Sequence, residues 1–313
     1  MTGAIAGSAI LYAPNSSNSL HTVTMTINNS CNLHCPHCYL QYGSNQFQIS
    51  EQILEKVYDS NFKHLAIVGK EPTLCPKLLE KIVLEMKKAG RTVSIITNGV
   101  QLNKLSTITL KGLSYIDVSF DGGAKTYFEN RKSDYQKIIS NIKYAKINGC
   151  KHFNALHTLY AENLQNIDDM VMVSKDIEFD YILFSPYQES QNDGENSVTF
   201  VSLIDKILPK LAKSKIFQTQ LNAKLLIGKL EIKSKEFNQK LLKKISELKL
   251  EDKIIFDPVD PLLKGFIRVN YDGKVMTPLD SIHPKNYYST SIELENKISL
   301  NQIFSFFQNK EIF

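Results

Sequence analysis

Three of the chain's five cysteines fall within eight residues, Cys31-Asn-Leu-His-Cys35-Pro-His-Cys38. The chain carries a Met1 start, no basic and apolar signal segment, and no apolar run long enough to span a bilayer, so a cytoplasmic location is expected. In that compartment a cysteine cluster suits metal binding or redox chemistry better than disulfides. Three thiolates on one short loop can hold three corners of an iron–sulfur cube and leave one iron open. The competing chemistry is a zinc knuckle that recruits His34 or His37 as fourth ligand.

The elements around this loop read as alternating strands and helices. Residues 21–28, HTVTMTIN, alternate and are rich in Thr and Val, which predicts a strand that feeds directly into the cysteine loop. Ser50 caps a helix carrying Ile53, Leu54 and Val57. Residues 63–69 form a second strand, ending in Gly69-Lys70-Glu71-Pro72. Pro76 opens a helix striped by Leu78, Leu79, Ile82, Val83 and Met86, and Gly90 closes it. A third strand over 91–97 ends in Thr97-Asn98-Gly99, and a fourth over 115–120 ends in Asp121-Gly-Gly. Ser133 and Gln136 spell a capping box for the next helix. Residues 152–159 and 181–185 supply the fifth and sixth strands. Six strand-and-helix repeats predict an α/β fold, an open parallel barrel of (β/α)6 type. Loops after such strands are where parallel barrels place their chemistry.

The cysteine spacing together with Gly69-x-Glu71-Pro72, Thr97-Asn98-Gly99 and Ser119-x-Asp121-Gly122 resembles the radical S-adenosylmethionine (radical SAM) superfamily. That resemblance implies one 4Fe–4S cluster on Cys31, Cys35 and Cys38, with S-adenosylmethionine on the open iron. It also implies reductive cleavage of that cofactor to a 5′-deoxyadenosyl radical that takes a hydrogen atom from the substrate. Cofactor contacts are implied for His37, Gly69, Glu71, Ser119, Asp121, Arg131 and Asn163, with Thr97 and Asn98 close by. The family usually has glycine where Lys70 stands; Lys70 then needs only to avoid a positive φ.

The domain division expected is an N-terminal arm over 1–20, a partial-barrel core over 21–215, and an extension over 216–313. The net charge of +5 is uneven: residues 201–250 hold twelve lysines and four acids. That segment reads as lysine-rich amphipathic helices, and the polar run at 190–197 as a loop. Aromatics are not interleaved with the lysines, so no nucleic-acid partner is expected, nor a membrane. Residues 266–277, FIRVNYDGKVMT, predict a hairpin turning at Asp272-Gly273. With the tail SLNQIFSFFQNK they resemble a small α+β, SPASM-like extension of peptide-modifying members of that family. No cysteine lies beyond Cys150, so no auxiliary cluster is expected there.

Two further residues are candidates for catalysis: Cys75, as a hydrogen-atom donor, and His157, if it faces the barrel interior. Against these stand a small buried thiol and a satisfied core histidine. The resemblance favours modification of a ribosomal peptide, with a small metabolite (nucleoside, sugar or amino acid) as the alternative substrate and a zinc-binding module as the remote one. Expected partners are that peptide or small-molecule substrate, a flavodoxin- or ferredoxin-type electron donor, and a separate peptide-recognition protein.

Overall fold

The computed structural model describes residues 8–38, 46–187, 198–228, 234–257, 260–277, 292–294 and 298–310. Six strands follow the expected repeats: β1 (Thr22–Met25), β2 (His64–Ile67), β3 (Thr92–Thr97), β4 (Tyr115–Ser119), β5 (Phe153–Leu159) and β6 (Tyr181–Pro186). Each pairs in parallel with the next. The connecting helices are α2 (Glu51–Asp59), α3 (Pro76–Lys88), α4 (Thr107–Gly112), α5 (Ala124–Arg131), α6 (Tyr135–Ile147) and α7 (Ile167–Asp176), preceded by a short α1 (Ala9–Tyr12). Ser50 caps α2 by accepting from the Ile53 amide. The cap of α6 is Asp134 rather than Ser133, because the Asp134 carboxylate accepts from the amides of both Gln136 and Lys137.

Strand alternation divides the sheet into two chemically different faces. Val23, Met25, Leu65, Ile67, Val93, Ile95, Ile116 and Val118 form the main core with Leu54, Val57, Leu79, Ile82, Val83 and Met86 of the helices. The alternate positions Thr22, Thr24, His64, Ser94, Asp117 and Asn154 are buried but polar. They line the inside of the curved sheet, where a polar ligand can be held.

The sheet runs further than the six repeats. After α8 (Leu208–Lys213) and α9 (Lys215–Thr219) comes β7 (Ala223–Gly228), then α10 (Lys235–Glu247) and β8 (Ile254–Asp257). β7 pairs with β6 and β8 with β7, both in parallel. The lysine-rich segment therefore supplies two strands as well as helices, and its buried residues make a second core with Leu159, Ile182 and Phe184. On the opposite side, β9 (Phe266–Val269) pairs in parallel with β1. It turns through Gly273, at φ 83°, into the antiparallel β10 (Lys274–Met276), which pairs with β11 (Ile292–Glu293). The sheet is open, in the order β11–β10–β9–β1–β2–β3–β4–β5–β6–β7–β8. Helix α11 (Leu300–Lys310) follows. The stretch after Thr277, where an auxiliary cluster would begin, lies outside the described residues, as does the polar run at 190–197.

The N-terminal arm closes the floor of this open barrel. The Ser8 amide and hydroxyl donate to Asp117 at 2.7 and 2.8 Å, and Asn154 Nδ2 donates to Ser8 Oγ at 2.9 Å. Ala9 packs on Ala66, Val68 and Phe266. Among the described residues, no helix is long and apolar enough to cross a membrane.

Candidate active site

The C-terminal ends of β1 to β5 bring most of the candidate residues together. Cys31, Cys35 and Cys38 follow β1, all half-buried. Cys31 Sγ accepts from the Leu33 amide at 3.4 Å and from Asn98 Nδ2 at 3.7 Å. Arg131 Nη1 lies 3.8 Å from Cys35 Sγ, and the Cys38 amide donates to the Cys35 carbonyl at 3.0 Å. Burial pushes the Cys31 thiol up to about 11, with further upward contributions from Glu71, Cys38 and Cys35. Burial also raises Cys35, against the pull of Arg131. The three sulfurs therefore feel one another, and a bound cation would favour the thiolate form of Cys31 and Cys35. N–H groups aimed at cysteine sulfurs are the interactions that tune iron–sulfur sites. Three thiols on one loop, two of them met by N–H groups, are a donor set that fits a cluster with three protein ligands.

Glu71 is fully buried at the end of β2. Its Oε1 accepts from the Thr73 amide at 3.0 Å, the Thr73 hydroxyl at 2.6 Å and the Thr97 hydroxyl at 2.7 Å. Its Oε2 accepts from the Asn98 amide at 2.8 Å, and its own amide donates to the Ser30 carbonyl at 3.0 Å. Burial raises the Glu71 carboxyl pKa, and these donors hold it down. With both oxygens committed to protein donors, Glu71 acts as a staple joining the loops after β1, β2 and β3. Asn98, positioned by it, passes one hydrogen to Asn32 at 2.8 Å as well as facing Cys31.

A second network is centred on Asp121, also fully buried. Arg131 Nε donates to its Oδ2 at 2.6 Å, the Thr158 amide donates to Oδ1 at 3.0 Å, and His37 Nε2 is 3.5 Å away. Burial alone would raise the Asp121 pKa, but Arg131, His37, His157 and the Thr158 amide together hold it below the usual carboxylate range. His37 is buried and lowered to about 4 by desolvation first and Arg131 second. It stacks on Tyr160 at 5.4 Å, and its Nδ1 has no partner. Asn163 Oδ1 accepts from the Tyr160 amide and its Nδ2 donates to the Thr158 carbonyl, so this side chain braces its own turn. Ser119 ends β4 half-buried, with no hydrogen bond from its hydroxyl among the described residues. Gly122 has φ 109°, and a Cβ there would lie 2.1 Å from Thr126 Oγ1, so glycine is required.

Three sequence-based expectations change. Lys70 does adopt a positive φ, 47°, so the left-handed path persists although the side chain is not glycine; Gly69 beside it has φ 77°. His157 does not face the interior: it stacks on Phe184 at 4.9 Å and meets Ser174 Oγ at 3.0 Å, between sheet and helices. The odd-numbered residues of β5 are its outward face, and that parity decides the matter. Cys75 is buried, and its Sγ accepts from Asn28 Nδ2 at 3.4 Å and Gln48 Nε2 at 3.1 Å, so it packs behind Glu71. Sequence reasoning missed Asn130 and Tyr160. The Tyr160 hydroxyl donates to Asn130 Oδ1 at 2.6 Å, and Asn130 Nδ2 donates to the Asp121 carbonyl. Their one sequence signal is position: Tyr160 follows the end of β5, and Asn130 precedes Arg131.

The family model described as the Radical SAM superfamily matches residues 25–172. A Sulfurisphaera tokodaii protein named "Probable GTP 3',8-cyclase" is 26% identical over 299 residues, covering 90% of each chain. A 7-carboxy-7-deazaguanine synthase of Haemophilus influenzae is 39% identical over 71 residues, 23% of this chain and 33% of the relative. In fold, the chain is similar to Streptococcus suis SuiB bound to the precursor peptide SuiA, with TM-score 0.65 and 15% identity. That likeness covers 93% of this chain and 66% of SuiB. The alignments therefore span a third of the H. influenzae protein and just under two thirds of SuiB. With three half-buried thiols on one loop, an open parallel sheet behind them and this family match, the chain is similar to the radical SAM superfamily over residues 25–172.

Proposed function

We propose that this protein is a radical SAM enzyme with one 4Fe–4S cluster held by Cys31, Cys35 and Cys38. When bound, that cluster supplies the electron that splits S-adenosylmethionine into methionine and a 5′-deoxyadenosyl radical, which removes a hydrogen atom from the substrate. The observation that carries this reading is the cysteine loop braced by Asn98 and Arg131, each aimed at a sulfur. The chain's own residues bind and orient. Asp121 holds the Arg131 fork near the cofactor end, Glu71 fixes the loop that presents Asn98, and His37 with Tyr160 provides a flat aromatic face. Burial of this shell excludes water from a reactive centre.

A ribosomal peptide is the substrate we favour, supported by the likeness in fold to SuiB and by the hairpin and closing helix of the C-terminal segment. A small metabolite is the second reading, favoured by the match over 90% of both chains to the named GTP 3',8-cyclase. A flavodoxin- or ferredoxin-type donor would deliver the electron, and a separate protein would present the peptide.

Anaerobic reconstitution with iron and sulfide tests the reading. The expected result is a brown, oxygen-sensitive chromophore and formation of 5′-deoxyadenosine on reduction with S-adenosylmethionine. Cys31→Ala, Cys35→Ala and Cys38→Ala each abolish both. One stoichiometric zinc and no 5′-deoxyadenosine would overturn it.

A further inference from the structure

Only three of the 37 Lys and Arg residues are arginines: Arg91, Arg131 and Arg268. Two have partners that account for them. Arg91 lies over the Phe62 ring at 4.4 Å and donates to the Tyr58 carbonyl, and Arg131 pairs with Asp121. Among the described residues Arg268 has no such partner. It is 2% exposed on β9, and the side-chain hydrogen bond it makes among them runs from Nε to Asn270 Oδ1 at 3.2 Å. Its Nη1 is buried without a hydrogen-bond partner, and among the described residues no carboxylate forms an ion pair with it.

The strand faces place this guanidinium inside the barrel. Ile267 and Val269 belong to the outer core, whereas Phe266 packs on Ala66 and Val68 of the inner face. Arg268 shares that inner face with Phe266 and Asn270. Asn270 is two residues nearer the mouth and is itself fixed by Thr26 Oγ1 at 3.3 Å. The Nε bond therefore draws the fork toward the end of β1 that leads into the cysteine loop.

A buried, permanently charged group without a counter-charge is strongly disfavoured unless something arrives to satisfy it. Burial cannot neutralise arginine, which stays protonated, and its planar fork matches an oxyanion through two parallel hydrogen bonds. We propose that Arg268 receives an anionic group of the substrate, a phosphate or a carboxylate, within the barrel. This deepens the radical-enzyme reading and rests on it only for what happens to the substrate once bound.

Because the chain has only three arginines, guanidinium 15N labelling of the full-length protein gives three assignable signals. Titration with inorganic pyrophosphate and, separately, with acetate is expected to move the Arg268 signal saturably. Arg268→Gln removes the signal and the binding. Arg268→Lys keeps the charge but loses the fork, and weakens binding about tenfold. Response to pyrophosphate alone assigns a phosphorylated small molecule, and response to acetate alone assigns a carboxylate. An Arg268 signal unmoved by both anions overturns the proposal, with no need for a variant to fold. Neither titration uses S-adenosylmethionine, so its outcome is separate from that of 5′-deoxyadenosine formation.

Discussion

Lys70 shows at the scale of one residue what the loop after β2 demands. A φ of 47° places a side chain where only glycine is free of strain, yet lysine occupies it. Burial lowers the Lys70 pKa, while Cys38 and Cys31 raise it, so the ammonium lies within electrostatic reach of the cysteine loop. The left-handed conformation costs an ordinary residue roughly 1–2 kcal/mol, and more for a β-branched one. Lys70→Val is therefore expected to destabilise the fold by about 1 kcal/mol or more, and Lys70→Gly not to destabilise it. Urea unfolding of the two variants beside the parent checks this; equal losses would mean that the backbone path is not what the position requires. The motif letters around Lys70 were legible because Gly69, Glu71 and Pro72 are spaced by the turn itself. The conformation of Lys70 was not, since a neighbouring chain segment imposes it: the Glu71 amide is anchored on the Ser30 carbonyl.

At the scale of elements, the strand ends converge because one carboxylate joins three loops. Glu71 accepts from donors on its own turn and on the end of β3. Glu71→Gln puts an amide donor against an N–H or hydroxyl donor on at least one side. Hydrogen bonds to charged groups contribute about 1.5–3 kcal/mol each, so a loss of about 2 kcal/mol in stability is expected. Weaker binding of S-adenosylmethionine should accompany it, because Asn98 and the cysteine loop lose their common anchor; calorimetric titration of the reconstituted protein reads that effect. Unchanged affinity would show that the loops are held by packing alone. The first six strands and their helices were readable from alternation and capping residues. β7 was not, because Ala223–Gly228 contains Lys224 and lies among helix-forming lysines. The pairing of β9 with β1 was hidden for another reason. It joins residues more than 240 positions apart, and no local pattern encodes so distant a neighbour.

At the scale of the whole molecule, groups buried on both faces of the sheet make stability depend on pH. His64 and His157 are both lowered to about 4, by desolvation first, well below the ordinary imidazole value. Each is held neutral in the folded state by hydroxyl partners: Thr92, Ser94 and Tyr115 for His64, Ser174 for His157. The unfolded chain takes up protons near pH 6.5 that the folded chain refuses. The stability these two groups contribute is thus complete above that pH and is lost as pH falls toward 4. Asp117 acts in the opposite sense. Burial raises it to about 6 despite donors from Ser8 and Asn154, so its folded form binds a proton more readily than the unfolded chain. Its carboxylate costs stability above pH 6, and that cost is relieved as pH falls from 6 toward 4. With His37, which burial lowers likewise, three imidazoles against Asp117 leave a net loss on acidification, steepest between pH 6 and 5. His157→Gln removes one of these imidazoles. It should flatten the dependence of unfolding free energy by about 1.4 kcal/mol per pH unit between pH 6 and 5. Urea denaturation at closely spaced pH values measures that slope. A variant as steep as the parent would mean that His157 is charged in the folded protein, which its stack on Phe184 and its enclosure behind the sheet do not allow.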